Sequence, residues 1–114
     1  MARYRLMAQT NPVEGKEDEF RAWYGETHLR DVLKVPGMLT AQFFEIHEPS
    51  ASTREKSPHR YLAVYEMETD DVEGTIKELR TRRANGVMTM SDSLDLESAS
   101  LSVYEVVSPL LRAE

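Results

Sequence analysis

Between Trp23 and Asp31 the chain places a tryptophan, a tyrosine, a histidine and an aspartate within one short stretch. A histidine titrates near neutrality and can move a proton, a carboxylate can fix its tautomer, and a phenol can hydrogen-bond a carbonyl or phenolate oxygen. On a helix Tyr24 and His28 stand one turn apart, with Asp31 three residues further on, and side chains at those spacings can converge. Tyr24, His28 and Asp31 are therefore the candidate catalytic group. In that reading His28 takes or delivers a proton, Asp31 orients it, and Tyr24 steadies an enolate or phenolate oxygen. Two other readings stay open. The residues could bind a ligand without turning it over, or they could be structural, with Trp23 and Tyr24 as core aromatics, His28 bonded to backbone, and Asp31 partnered by Arg30, Arg21 or water.

The element that positions them is a helix expected over residues 16 to 34. Glu17, Asp18 and Glu19 suit its N-terminal dipole, Arg30 and Lys34 suit its C-terminus, and Pro36-Gly37 stops it. At 100° per residue Phe20, Tyr24, Thr27 and Asp31 share a stripe with Trp23, His28 lies on its border, and Leu29, Val32 and Leu33 face another side. Gly25 costs about 1 kcal/mol relative to Ala in a helix interior. Its presence is either tolerated at the surface or marks a close approach or a bend near Tyr24 and His28.

Around this helix the hydrophobic periodicity gives four strands and a second helix. Alternation predicts strands over 3–9, over 38–47, over 60–67 and over 99–107, and a polar, Pro-bounded connection over 48–58. The second helix carries Val72, Ile76 and Leu79 on one face, with Asp70 and Glu73 as a possible cap pair and Asn85-Gly86 as its stop. A loop from Val87 to Ser98 leads into the last strand. The order βαββαβ is an α+β, ferredoxin-like arrangement: a four-stranded antiparallel sheet with both helices on one face, spanning residues 1–114 as a single domain. Three strands carry large apolar groups on both sides, where a bare sheet face normally meets water with polar ones. The expected cover is the same face of a second copy, giving a homodimer through the sheet face.

Composition narrows the function. A formal net charge of -6 argues against a nucleic-acid surface. Arg80, Arg82 and Arg83 read as basic residues matched to a helix C-terminus. There is no Cys, hence no disulfide or thiolate chemistry. No stretch could span a bilayer, so no membrane partner is expected, and with nothing like a signal peptide at the N-terminus the expected location is cytoplasmic. His28, His47 and His59 are isolated from one another and no HExxH or Cys pair exists, so no metal site is expected. The absence of a glycine-rich phosphate loop removes nucleotide, flavin and nicotinamide cofactors, and no cofactor is expected. Beside Trp23, the residues that could line an apolar cleft are Phe44, Tyr65, Met88, Met90 and Leu94, each of which could equally be plain core.

The run NPVEGKEDEFRAWYGETHLRDVLKVPGM, followed by Gln42-Phe43-Phe44, RYLAVYE and MSDSLDL, resembles the dimeric α+β-barrel superfamily, in particular its EthD-like and antibiotic biosynthesis monooxygenase-like branches. The resemblance extends over nearly the whole chain and is strongest in WYGETHLRDVLKVPG. It implies a hydrophobic cleft between helices and sheet, with Trp23, Tyr24, His28 and Asp31 at the site. It also implies a small hydrophobic, aromatic or polyketide-like ligand. The chemistries it suggests are cofactor-independent oxygenation, cyclisation and isomerisation, and, through His28 as an axial ligand, haem binding as a lesser alternative. One fold hosts all of these, so the resemblance leaves the choice among them open.

Overall fold

The computed structural model describes residues 2–47 and 58–114. Strand β1 (Ala2–Thr10) is followed by α1 (Glu17–Trp23), a π-helical turn (Tyr24–His28) and α2 (Leu29–Leu33), which run on as one rod. Strands β2 (Met38–Glu45) and β3 (Tyr61–Thr69), helix α3 (Val72–Ala84) and β4 (Ser100–Glu105) complete the chain. The four strands form one antiparallel sheet in the order β2-β3-β1-β4. This is the expected ferredoxin-like arrangement. The polar connection expected over 48–58 falls, apart from Pro58, outside the described residues.

The π-helical turn changes which residues of the first helix meet the sheet. In an unbroken α-helix the row through Phe20 and Tyr24 continues to Thr27 and Asp31. A π turn takes more residues per revolution, so the row moves on to His28 and Val32 instead. Burial follows the shifted row: Phe20, Tyr24 and Val32 are enclosed, while Asp31 stands at its margin. Thr27 and Asp31 therefore leave the stripe on which a regular helix would put them, and Val32 joins it. Gly25 opens the wide turn, and nothing lies within 4 Å of where its Cβ would stand. Close packing therefore does not account for the glycine, which is tolerated at an exposed position of the turn.

The core lies between this rod and the sheet. Leu6 and Ala8 of β1 and Tyr61, Ala63, Tyr65 and Met67 of β3 point toward the helices and are nearly fully buried. Phe20, Tyr24, Phe43 and Tyr61 form a ring cluster, with the Tyr24 and Phe43 rings stacked at 4.4 Å. At the start of α3 the side chain of Asp71 accepts a hydrogen bond from the Gly74 N–H at 3.0 Å. Asp71, rather than Asp70 with Glu73, is thus the cap, because β3 runs on to Thr69 and the helix begins one residue later.

The opposite sheet face is mixed. By register it carries Phe44 beside Leu62 and Val64 beside Met7, then Arg5 and Arg3 against Glu66 and Glu68. Ion pairs of 2.9 to 3.3 Å link those four charged residues. One half of this face is apolar and the other is a charge grid. Phe44 and Tyr104 stand 42% and 59% exposed on it. No helix of the described residues is long and apolar enough to cross a membrane.

Candidate functional site

The helix layer roofs β2 and β3 and leaves the β4 side of the same sheet face thinly covered. Leu101 and Val103 of β4 point toward the helices yet remain 50% and 42% exposed. Over them lies a cavity of about 490 Å³. Its floor is Leu6, Ala8 and Thr10 of β1, Tyr65 of β3, and Leu101 and Val103. The π-helical turn and α2 contribute Tyr24, His28 and Val32, and α3 contributes Ile76, Leu79, Arg80 and Arg83. The loop after α3 closes one side with Met88, Met90, Leu94 and Leu96.

Of the residues singled out from sequence, Tyr24, His28, Tyr65, Met88, Met90 and Leu94 line this cavity. Trp23, Asp31 and Phe44 do not. Phe44 lies on the other face of the sheet, paired with Leu62, because strand alternation puts it opposite Phe43. Trp23 stacks on the His28 ring at 4.6 Å and donates its indole N–H to the Thr89 carbonyl at 2.9 Å. Asp31 accepts from the Thr89 N–H at 3.2 Å and pairs with Lys34 at 3.5 Å. Both residues therefore fasten the loop after α3 at Thr89, which holds Met88 and Met90 against the cavity. They position the wall without forming it.

Asp31 makes no hydrogen bond to His28. The imidazole Nδ1 is buried with no partner among the described residues, as is Thr10 Oγ1, and both residues belong to the cavity wall. Buried polar atoms without partners are uncommon in folded proteins, and each calls for a physical reason. Burial lowers the pKa of His28 from 6.5 to about 4; the nearby Asp31 carboxylate works against this and Arg83 works with it. At neutral pH the ring is therefore uncharged, and it is a weaker base than its type alone suggests.

Beside His28, with ring centroids 4.8 Å apart, stands the Tyr24 phenol. The Tyr65 hydroxyl donates to the Tyr24 oxygen at 3.4 Å. That leaves the Tyr24 proton free to serve as a donor. Burial pushes Tyr24 up to about 12, the Tyr65 bond working against it, and burial pushes Tyr65 up as well. Both phenols are thus neutral donors across the physiological range.

Among the cavity residues that sequence reading missed are Leu6, Ala8, Thr10, Val32, Leu101 and Val103, together with Arg80 and Arg83. The two arginines carried a usable signal. Ile76, Leu79, Arg80 and Arg83 follow one another at the spacing of a single helix face, so the apolar stripe of α3 runs into two guanidiniums. The third basic residue, Arg82, points elsewhere: it bonds Glu78 and the Lys34 carbonyl. Among the described residues no cluster of three His, Cys, Asp or Glu could hold a metal ion.

No protein-family model matches the chain, and no curated protein matches it in sequence. Its likeness to solved structures is clear. The haem degrader MhuD of Mycobacterium tuberculosis, solved with two haems in its active site, superposes with a TM-score of 0.64 at 18% identity, covering 94% of this chain and 98% of that one. A candidate monooxygenase of Shewanella loihica PV-4 gives 0.58 at 18% identity, with 96% and 99% covered. A dimeric ferredoxin-like protein from an uncultured marine organism gives 0.52 at 15% identity, with 98% and 100% covered. These likenesses show a ferredoxin-like α+β fold, the fold that the sequence resemblance implies. At these identities the likeness is one of fold.

Proposed function

We propose that this protein binds a small, largely apolar, aromatic or polyketide-like molecule in the cavity over β1 and β4. The observation that carries the reading is the composition of the wall: aliphatic and methionine side chains line most of a cavity of about 490 Å³, and the Tyr24, Tyr65, Thr10 and Ser100 hydroxyls and the His28 imidazole are its uncharged polar groups. Apolar walls with a few placed polar groups are the usual make-up of a small-molecule site. A carbonyl or phenolic oxygen beside Tyr24 would accept its proton in a hydrogen bond, strengthened by the bond from Tyr65. His28, neutral and without a partner at Nδ1, would complete the polar contact. Any turnover would start from this pose, with His28 accepting a proton from the bound molecule while Tyr24 holds the resulting enolate or phenolate. Asp31 acts on the ring through its field. The reaction classes that suit these groups are cofactor-independent oxygenation, cyclisation and isomerisation.

The test is a calorimetric titration with methyl 2-naphthoate, a neutral flat aromatic ester. Binding to the native chain, lost in Leu101→Trp as the indole fills the cavity, supports the reading. An unchanged affinity in that variant would refute it.

A second reading has one observation in its favour. MhuD shares the fold and holds haem, and this wall offers a neutral imidazole, the form that ligates iron. The residues fit in kind: His28 would supply the axial nitrogen, and a bound haem would supply oxygen chemistry. Titration with haemin decides, since ligation by His28 gives a shifted visible absorption band that His28→Ala loses.

The outer sheet face is proposed to pair with its counterpart in a second copy. The exposed Phe44 and Tyr104, and the dimeric state named for a protein of the same fold, support this.

A further inference from the structure

The chain carries 20 acidic and 14 basic residues, yet the cavity wall contains no carboxylate and two guanidiniums, Arg80 and Arg83. Neither arginine has an ion pair with any described residue. Arg3, Arg5, Arg21 and Arg82 pair with glutamates, whereas Arg30, Arg60 and Arg112 share with Arg80 and Arg83 the lack of an ion pair among the described residues; what sets Arg80 and Arg83 apart is that they alone of the described arginines line the cavity. Nor do Arg80 and Arg83 stand at random on α3, since they continue the row of Ile76 and Leu79 that faces the sheet. With Met90 and Leu96 they also border a second, shallower depression of about 300 Å³, and both arginines are exposed, so the guanidiniums stand at the solvent side of the cavity where the two spaces adjoin.

From this we propose that the cavity selects an anion: a flat apolar molecule whose carboxylate lies between Arg80 and Arg83 at the mouth, with its ring directed inward toward Tyr24. The inference rests on the small-molecule reading above and adds a charge requirement to it. The physical basis is that a guanidinium presents a fork of N–H donors matched to a carboxylate, and charge-assisted hydrogen bonds are roughly twice as strong as neutral ones. An apolar wall behind the fork excludes water from the rest of the ligand. A neutral ligand gains less from the two cations, whereas an anion in a net acidic protein finds here a place without a competing carboxylate in the cavity wall.

The experiment compares 2-naphthoate with methyl 2-naphthoate, which share a ring system and differ in charge. Calorimetric titrations at pH 7.5 use the native chain, Arg80→Gln and Arg83→Gln, with thermal melting as a check that each variant folds. The acid is expected to bind at least about tenfold more tightly than the ester, and each variant to lose about tenfold for the acid and less than twofold for the ester. Raising the salt concentration should weaken the acid alone, a readout on the native chain that needs no variant. Equal binding of acid and ester, insensitive to both substitutions and to salt, overturns the charge requirement and leaves the cavity reading standing. Failure of both to bind overturns the two together.

Discussion

His28 gives a prediction whose sign and size follow from its surroundings. Its folded pKa is lowered to about 4 from the ordinary 6.5 because the ring is buried. Above pH 6.5 the ring is neutral in both the folded and the unfolded chain, and it contributes no pH dependence. As the pH falls below 6.5 the unfolded chain takes up a proton that the folded chain refuses, so stability is lost down to about pH 4 and then levels off. A displacement of this size corresponds to about 3 kcal/mol over the window. The perturbation is His28→Phe, which keeps a flat ring between Trp23 and Tyr24 and removes the titration. The assay is urea unfolding followed by far-ultraviolet circular dichroism at half-unit steps from pH 7.5 to 4. Other groups titrate in both proteins and cancel in the difference. The stability of His28→Phe relative to the native chain should rise by about 3 kcal/mol between the ends of the series. A difference that stays flat would refute the burial of a neutral imidazole, and with it the description of the cavity's polar side.

Two glycines should respond in opposite directions in the same assay. Gly25→Ala meets open space on a helix and should stabilise by about 0.5 to 1 kcal/mol, whereas Gly37→Ala, at φ +100° with the Glu68 carbonyl 3.3 Å from the new Cβ, should cost more than that. Tyr24→Phe leaves the buried Tyr65 hydroxyl without its acceptor and should cost about 1 to 3 kcal/mol of unfolding free energy, more than Tyr65→Phe. On the outer face, Val64→Glu should convert a dimer to a monomer in sedimentation velocity; a native chain that sediments as a monomer contradicts the proposed pairing.

The strand and helix order was legible because each segment keeps one hydrophobic period from end to end. Tyr61, Ala63, Tyr65 and Met67 alternate through β3, and Val72, Ile76 and Leu79 recur along α3. The first helix was legible in extent and misread in facing. The pattern assumes 100° per residue throughout, and a π turn at Tyr24–His28 breaks that assumption with no local marker beyond Gly25. Hence a regular helix puts Asp31 on the stripe of Tyr24 and leaves Val32 off it, whereas Val32 lines the cavity and Asp31 does not. Phe44 was misassigned because Phe43 and Phe44 are chemically alike, and only the register against Ala63 and Leu62 decides which one faces the helices. The contribution of β4 was hidden for another reason. An apolar strand residue reads as core, and nothing local says that a cavity separates Leu101 and Val103 from α3. Arg80 and Arg83 were visible on the face of α3 and were assigned to its dipole, since a helix C-terminus accounts for basic residues without reference to any cavity.

The central claim is that ligand binds on the helix side of the sheet, over β1 and β4. Methionine methyl groups sample both sides: Met88 and Met90 border the cavity, and Met7 lies on the outer face. With methyl-labelled methionine and saturating methyl 2-naphthoate, nuclear Overhauser contacts are expected from the naphthalene protons to Met88 and Met90. Contacts to Met7 in their place would put the ligand on the opposite face and contradict the account.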